Sequence, residues 1–206
     1  KISVIEGAPA ENATLLGADI MTAKSAIILN DTTDSPESAD ARVLMITLAI
    51  ESMNPAVYTC AQVQHSSNEI HLQRANVDET IPLDMIGANL AVSSALHHGV
   101  TKMISELVHF DSGSEIYKMV PPLPASLVGL KFADAQTWFA SHDMILVGIE
   151  SERLSDSYTS TLALSSIKSR GVAVNPHGHA IELNDALFVI SQDAPDPEHF
   201  EGLLTG

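Results

Sequence analysis

Residues 25–64, SAIILNDTTDSPESADARVLMITLAIESMNPAVYTCAQVQ, decide the fold. Ala26-Ile27-Ile28-Leu29 is a short apolar run rich in β-branched residues, and it predicts a strand buried on both faces. A polar turn follows, Asn30 to Asp40, with one proline, Pro36. Ala41 to Met53 is apolar at helical spacing through Val43, Leu44, Ile46, Thr47 and Ile50. Asn54-Pro55 ends that helix, because proline cannot continue it and restricts the residue before it. Val57 to Ala61 is a second strand. Strand, helix, strand is a βαβ unit, with parallel strands and a right-handed crossover. Ligands in such sheets sit at the carboxyl ends of the strands. Those ends carry Asn30, Asp31, Thr32 and Asp34, then Gln62, Gln64 and His65.

The 206 residues suffice for one large or two small domains. A hydrophobic content of 45 % supports a real core, and only 4 % aromatics makes it aliphatic. The net charge of −16 makes nucleic acid or an anionic membrane surface a poor partner. It reads as solubility and self-repulsion, or as a surface that attracts cations. The single cysteine, Cys60, builds neither a disulfide framework nor a zinc site, and a buried thiol in a cytosolic setting fits. No apolar run approaches the ~20 residues of a membrane helix, and no signal peptide is visible.

Working outward, Ile2 to Ile5 reads as a strand and Ala10 to Leu16 as a short helix ended by Gly17. Ser67 to Arg74 is a helix capped by Ser66 or Ser67. A turn from Ala75 leads into a short strand ending at Pro82. These further alternations predict a doubly wound α/β sheet. Pro82 to Leu96 is a helix with Met85, Ile86, Leu90, Val92 and Leu96 on one face and small residues elsewhere. His97-His98-Gly99 breaks it, and Val100 to Phe110 starts another, so the pair reads as a helical hairpin. Its apolar positions exceed what one small sheet covers, which points to an intersubunit surface. Phe110 to Ser114 is the boundary. Beyond it come strands at Glu115 to Val120, Met144 to Ile149, Val172 to Asn175 and Ala186 to Ser191, with a helix at Ala133 to Ala140. Ser151 to Arg170 reads as an exposed loop enclosing a piece of helix or strand, and Asp193 to Gly206 as an acidic tail.

Several phrases now resemble a known family: V-I-E-G-A-P at 4–9, A-D-I-M-T-A-K-S-A-I-I-L at 18–29, and D-A-R-V-L-M-I-T-L-A-I at 40–50. H-L-Q-R-A-N-V-D-E-T-I-P at 71–82, L-V-G-L-K-F-A-D at 127–134 and N-D-A-L-F-V-I-S at 184–191 complete the set. Together they resemble the RCK domain, the regulator of K+ conductance, of the TrkA/KTN superfamily, over about residues 2–192. The resemblance implies a Rossmann-like parallel sheet lacking its first strands in residues 1–84, and a helix-turn-helix dimerisation hairpin in 85–112. It implies a smaller α+β, TrkA-C-like subdomain in 113–206. It implies a ligand-sensing gating-ring domain on the cytoplasmic side of the cell membrane, joined to the pore domain of a potassium channel. Dimers, formed through Ile86, Leu90, Met103, Ile104 and Leu107, would assemble into a tetrameric or octameric ring. The alternative is a nucleotide-binding regulatory subunit or tail of a K+ uptake system or cation antiporter. No covalent chemistry is implied.

The chain begins at what matches the family's third strand, so the resemblance implies strands upstream. No G-x-G-x-x-G occurs, so NAD or an adenine nucleotide is not supported. Calcium-gated relatives carry carboxylates where Asn30, Gln62 and Gln64 stand here, and calcium prefers several carboxylates. Asn30, Asp31, Gln62 and Gln64 remain candidate ligand contacts, the two glutamines alternatively capping the next helix. Asp34 and Glu37, with Asp31 and Asp40 nearby, either hold Ca2+ or another divalent cation or solvate a loop. His97 and His98 sense pH or merely occupy a turn. His177 and His179 share a metal or form a hairpin tip. Trp138 and Phe139 read as subdomain core. A nucleotide-dependent enzyme is the most distant reading, since neither G-x-S-x-G nor H-E-x-x-H occurs.

Overall fold

The computed structural model of the protein describes residues 2–31, 33, 35–109, 113–154 and 171–195. The expectations for Asp34, for most of the 151–170 loop and for the acidic tail beyond 195 therefore fall outside the described residues. The chain divides into two compact units, 1–97 and 98–206, and the division falls inside the expected hairpin segment.

In the first unit, α1 (Asn12–Gly17) precedes β1 (Ser25–Ile28), α2 (Pro36–Met53) and β2 (Tyr58–Val63). A 3₁₀ turn (Ser66–Asn68), α3 (Glu69–Arg74), β3 (Glu79–Pro82) and α4 (Leu83–Leu96) follow. β1, β2 and β3 form a parallel sheet in that order, with Ile27 beside Cys60 and Cys60 beside Glu79. The expected α/β class, with a parallel sheet and helices, therefore holds.

α2 starts five residues earlier than its apolar spacing suggests. Ser35 is its N-cap, its Oγ accepting the Ser38 N–H at 3.3 Å, and Pro36 opens the first turn, where its missing N–H costs nothing. The polar turn thus shrinks to Asn30–Ser35, and Glu37 and Asp40 belong to a helix. At its other end the Asn54 N–H closes on the Ile50 carbonyl at 2.8 Å.

α1, α2 and α3 bring Leu15, Val43, Ile46, Ile50 and Leu72 onto the sheet face that carries Ile28, Ala61 and Val63. Among the described residues the opposite face is uncovered: Ile27 is 72 % exposed, and Leu29 and Tyr58 are exposed beside it. β1 is thus buried on one face, not two, because α1, α2 and α3 pack on the same side. Ile2–Ile5 is no strand either; Ile2 is 93 % exposed. β-propensity alone does not make a strand without a neighbour to complete its hydrogen bonds.

The second unit holds α5 (Val100–Leu107), β4 (Glu115–Met119), α6 (Phe132–Ala140), β5 (Ile145–Ser151), β6 (Gly171–Val174) and β7 (Ala186–Ser191). Gly99, at φ +100°, supplies the left-handed turn that opens α5. The four strands form an antiparallel sheet in the order β4-β7-β5-β6. α6 covers one face, and Phe132, Phe139, Leu146, Ile149, Leu187 and Val189 fill the core between them. Trp138 sits edge-on to Phe139 at 5.0 Å between ring centroids, the core role expected for this pair. Among the described residues no helix is long and apolar enough to cross a membrane.

Candidate functional site

The carboxyl ends of β1 and β2 converge on one buried carboxylate. Asp40, in the second turn of α2, is only 5 % exposed. Its Oδ1 accepts the Asn30 amide at 2.8 Å and the Gln64 N–H at 2.7 Å. Its Oδ2 accepts the Asn68 amide at 2.7 Å and the His65 N–H at 3.2 Å. Sequence reasoning placed Asp40 among loop carboxylates; helix α2 instead carries it inward, where four donors replace water. A buried charge is tolerable only with such partners.

Around this carboxylate the amides lock one another. The Gln64 Nε2 donates to Asn30 Oδ1 at 3.2 Å, and the Asn30 N–H points at Gln62 Oε1 at 3.4 Å. The structure thus brings Asn30, Gln62 and Gln64 together, and neither glutamine caps α3. Asn68 was not singled out from sequence. The signal available was its polar S-S-N setting just past a strand end, where a side chain can turn back on the sheet.

Asp31 stands apart from that network. It is exposed, its Oδ1 accepts the Thr33 hydroxyl at 2.7 Å and the Thr33 N–H at 2.9 Å, and its Oδ2 meets Arg42 at 3.1 Å. The Thr33 hydroxyl, then the Thr33 N–H and the Arg42 charge, hold its carboxyl below the usual range. Glu37 lines a cleft of about 240 Å³ between α2 and α3, together with Asp40, Leu44, Val63, Asn68 and His71. The ionisable side chains on this cleft are two carboxylates and one imidazole, with no lysine or arginine to receive a phosphate. Among the described residues no three His, Cys, Asp or Glu side chains stand close enough to hold a metal ion.

The remaining expectations scatter. Ile86, Met103 and Ile104 are exposed and Leu90 and Leu107 half-buried. α4 and α5 bury no residue fully, so both helices keep their apolar side chains available. His179 Nε2 donates to Asp185 Oδ2 at 3.0 Å, whereas His177 faces Asn175 at 3.1 Å. The two histidines therefore hold separate partners within the turn. At the opposite end of the first sheet Thr59 Oγ1 lies 2.8 Å from Glu51 and 3.3 Å from Asp78. Burial, opposed by the Thr59 hydrogen bond, pushes the Glu51 carboxyl up.

Residues 1–61 match the family model described as the calcium-activated potassium channel slowpoke-like RCK domain. That match spans α1, β1, α2 and the start of β2, and so includes Asn30 and Asp40. The fold is similar to the structure of the human SLO3 gating ring, at TM-score 0.65 and 16 % identity. The similarity covers 92 % of this chain and 36 % of that one, so the chain spans about a third of that structure's length. The GsuK RCK domain superposes at TM-score 0.40 with 20 % identity over 94 % of this chain and 36 % of its own. A GsuK channel bound to NAD does so at 0.39 and 20 %, over 98 % of this chain and 31 % of its own. No curated relative matches the chain. The resemblance to the slowpoke-like RCK domain thus lies in the sequence of residues 1–61, and the likeness to the gating-ring structure is one of fold.

Proposed function

We propose that this chain is part of a ligand-sensing gating ring on the cytoplasmic side of a potassium channel, coupling ligand binding to pore opening without covalent chemistry. The observation that carries the proposal is the slowpoke-like RCK match over residues 1–61, which includes Asn30 and Asp40 of the strand-end network. The network supports the ligand-sensing part. Asp40 ties β1, β2, the 3₁₀ turn and α2 to one point. A ligand at Asn30, Asp31, Gln62 and Gln64 would therefore bias the positions of four elements at once, and such differential contact is what shifts a two-state equilibrium. A divalent cation at Asp34 and Glu37 is the ligand favoured by the acidic surroundings. Ring assembly proceeds through Ile86, Leu90, Met103, Ile104 and Leu107.

The test is thermal denaturation of the chain with calcium, magnesium, NAD, NADH, ATP, ADP and AMP. A ligand at ~100 times its dissociation constant adds ~2.7 kcal/mol, a shift of a few degrees. Calcium or another divalent cation is expected to raise the melting of the first unit, and Asp34→Asn with Glu37→Gln to abolish that shift. Stabilisation by a nucleotide alone would replace this reading with the uptake-regulator one. A chain that no ligand stabilises would overturn the ligand-sensing role.

A further inference from the structure

β2 ends at Val63, and the next three backbone N–H groups leave the sheet without a strand partner. Backbone donors in that position need another acceptor. Here carboxylates take all three. Asp40 accepts the Gln64 N–H at 2.7 Å and the His65 N–H at 3.2 Å. The Ser66 N–H donates instead to both carboxylate oxygens of Asp84, each 3.1 Å away, and the Ser66 hydroxyl adds a third bond at 3.3 Å. Residues 64–66 thus form a short strap, held by α2 at one end and by α4 at the other.

The sheet places Asp84 for this contact. Register sets Pro82 beside Val63, so α4 and the strap leave the sheet from neighbouring positions. α4 begins at Leu83 with no loop, and its N-cap, Pro82, supplies no side-chain cap. Asp84, in the first turn, accepts the adjacent Met85 N–H at 2.6 Å and otherwise turns back to Ser66. The Ser66 N–H, then the Met85 N–H, the Ser66 hydroxyl and the His65 charge, hold the Asp84 carboxyl below the usual range despite some loss of hydration. The rest of α4 is lightly held. None of its 14 residues is buried, and Met85, Ile86, Val92 and Leu96 are exposed. A helix of that length is about 21 Å long, so a tilt of about 10° at its first turn moves the far end by about 4 Å. Fixing the base therefore fixes where that apolar surface points.

We infer that Asp84 is a positioning residue, which sets the direction of α4 from the state of the Asp40 network through the 64–66 strap. The strap is three consecutive residues, closed at each end by a carboxylate. Releasing Gln64 and His65 from Asp40 moves Ser66, and Ser66 carries Asp84 and the base of α4 with it. Coupling of this kind is reciprocal, so α4 also acts back on the network. The inference goes beyond the ligand reading and rests on the chain alone, so it survives if no ligand binds.

The test is the orientation of α4 in the isotopically labelled full chain. Residual dipolar couplings of its backbone N–H groups are read against those of β1, β2 and β3. Asp84→Ala, at an exposed position, should tilt α4 by about 10° or more, ~4 Å at its far end. Asp40→Asn, which removes the acceptor of the His65 N–H from a different helix, should move the same couplings. The double variant should move them no further than Asp84→Ala alone. Asp84→Asn keeps an acceptor oxygen for Ser66 and should restore part of the wild-type orientation. Couplings of α4 unchanged in Asp84→Ala overturn the inference. So do shifts from Asp40→Asn that persist in full in the Asp84→Ala background, since the two residues would then act independently. The reverse reading needs no change at Asp40. In Asp84→Ala the Gln64 and His65 amide protons should move upfield as their bonds to Asp40 loosen, and amide shifts that stay in place also overturn the inference.

Discussion

Replacing Asp40 should unfasten the first unit and leave the second untouched. In Asp40→Ala four donors lose their acceptor: two side-chain amides, from Asn30 and Asn68, and the backbone N–H groups of Gln64 and His65. Each hydrogen bond to a charged group is worth about 1.5–3 kcal/mol. Only the Asn30 bond is fully buried, and water can reach the others in part. The loss is therefore about 3–5 kcal/mol rather than the sum. Asp40→Asn keeps one acceptor oxygen for Asn30 and Gln64 but turns an amide toward Asn68, whose own amide can rotate to receive it. The cost there falls to about 2 kcal/mol. Urea titration reads both values. At a slope of about 2 kcal/mol per molar, Asp40→Ala lowers the midpoint by about 2 M and Asp40→Asn by about 1 M. The two units need separate probes, since a chain of two units does not unfold as one state. The sole tryptophan, Trp138, lies in the second unit. Its fluorescence transition should hold still while the far-ultraviolet dichroism splits. An Asp40→Ala variant within about 0.5 kcal/mol of wild type, the range of ordinary surface changes, would refute the keystone role. So would equal movement of the Trp138 transition.

Two further perturbations separate the energetics. Phe139→Ala, in the core beneath β5 and β7, should cost about 3–5 kcal/mol; it should move the Trp138 transition alone, and a shift of both transitions would mean that the units unfold together. Glu51→Gln addresses pH. Burial raises the folded pKa of Glu51 above its ordinary 4.5, so the folded form binds the proton more tightly. The stability tied to it is present at low pH and declines as pH rises through the folded value. Gln keeps an oxygen for the Thr59 hydroxyl, so the variant should be the more stable at pH 7 and lack that decline; midpoints offset equally at every pH would contradict the assignment.

Element types were legible where periodicity was strong. Val43, Ile46 and Ile50 announced α2, and Ala186 to Ser191 announced β7, because burial on one face imposes a spacing that composition alone does not hide. The start of α2 was misread because Pro36 looked like a turn residue; its role as the first helical residue depends on Ser35 folding back on Ser38, a contact set by geometry. Burial was the harder quantity. Ile27 and Ile28 are equivalent in hydropathy, yet one is exposed and the other buried, and only the placement of α1, α2 and α3 on one side decides which. At the strand ends, Asn30, Gln62 and Gln64 were visible from topology. The centre they surround was not, because nothing in residues 30–40 says that Asp40 points inward while Asp31 points to Arg42.

The bare side of the parallel sheet has a colloidal consequence. Ile27, Leu29 and Tyr58 offer water a sticky surface, while sixteen net negative charges keep neighbouring chains apart. That protection is long-ranged and salt-dependent, whereas the apolar attraction is short-ranged and indifferent to dilute salt. At about 0.01 M ionic strength the repulsion extends ~30 Å, and at about 1 M only ~3 Å. In the chain by itself, that apolar attraction is opposed by the net charge of −16. The shelf life of the chain is then governed by the buffer before it is governed by the fold.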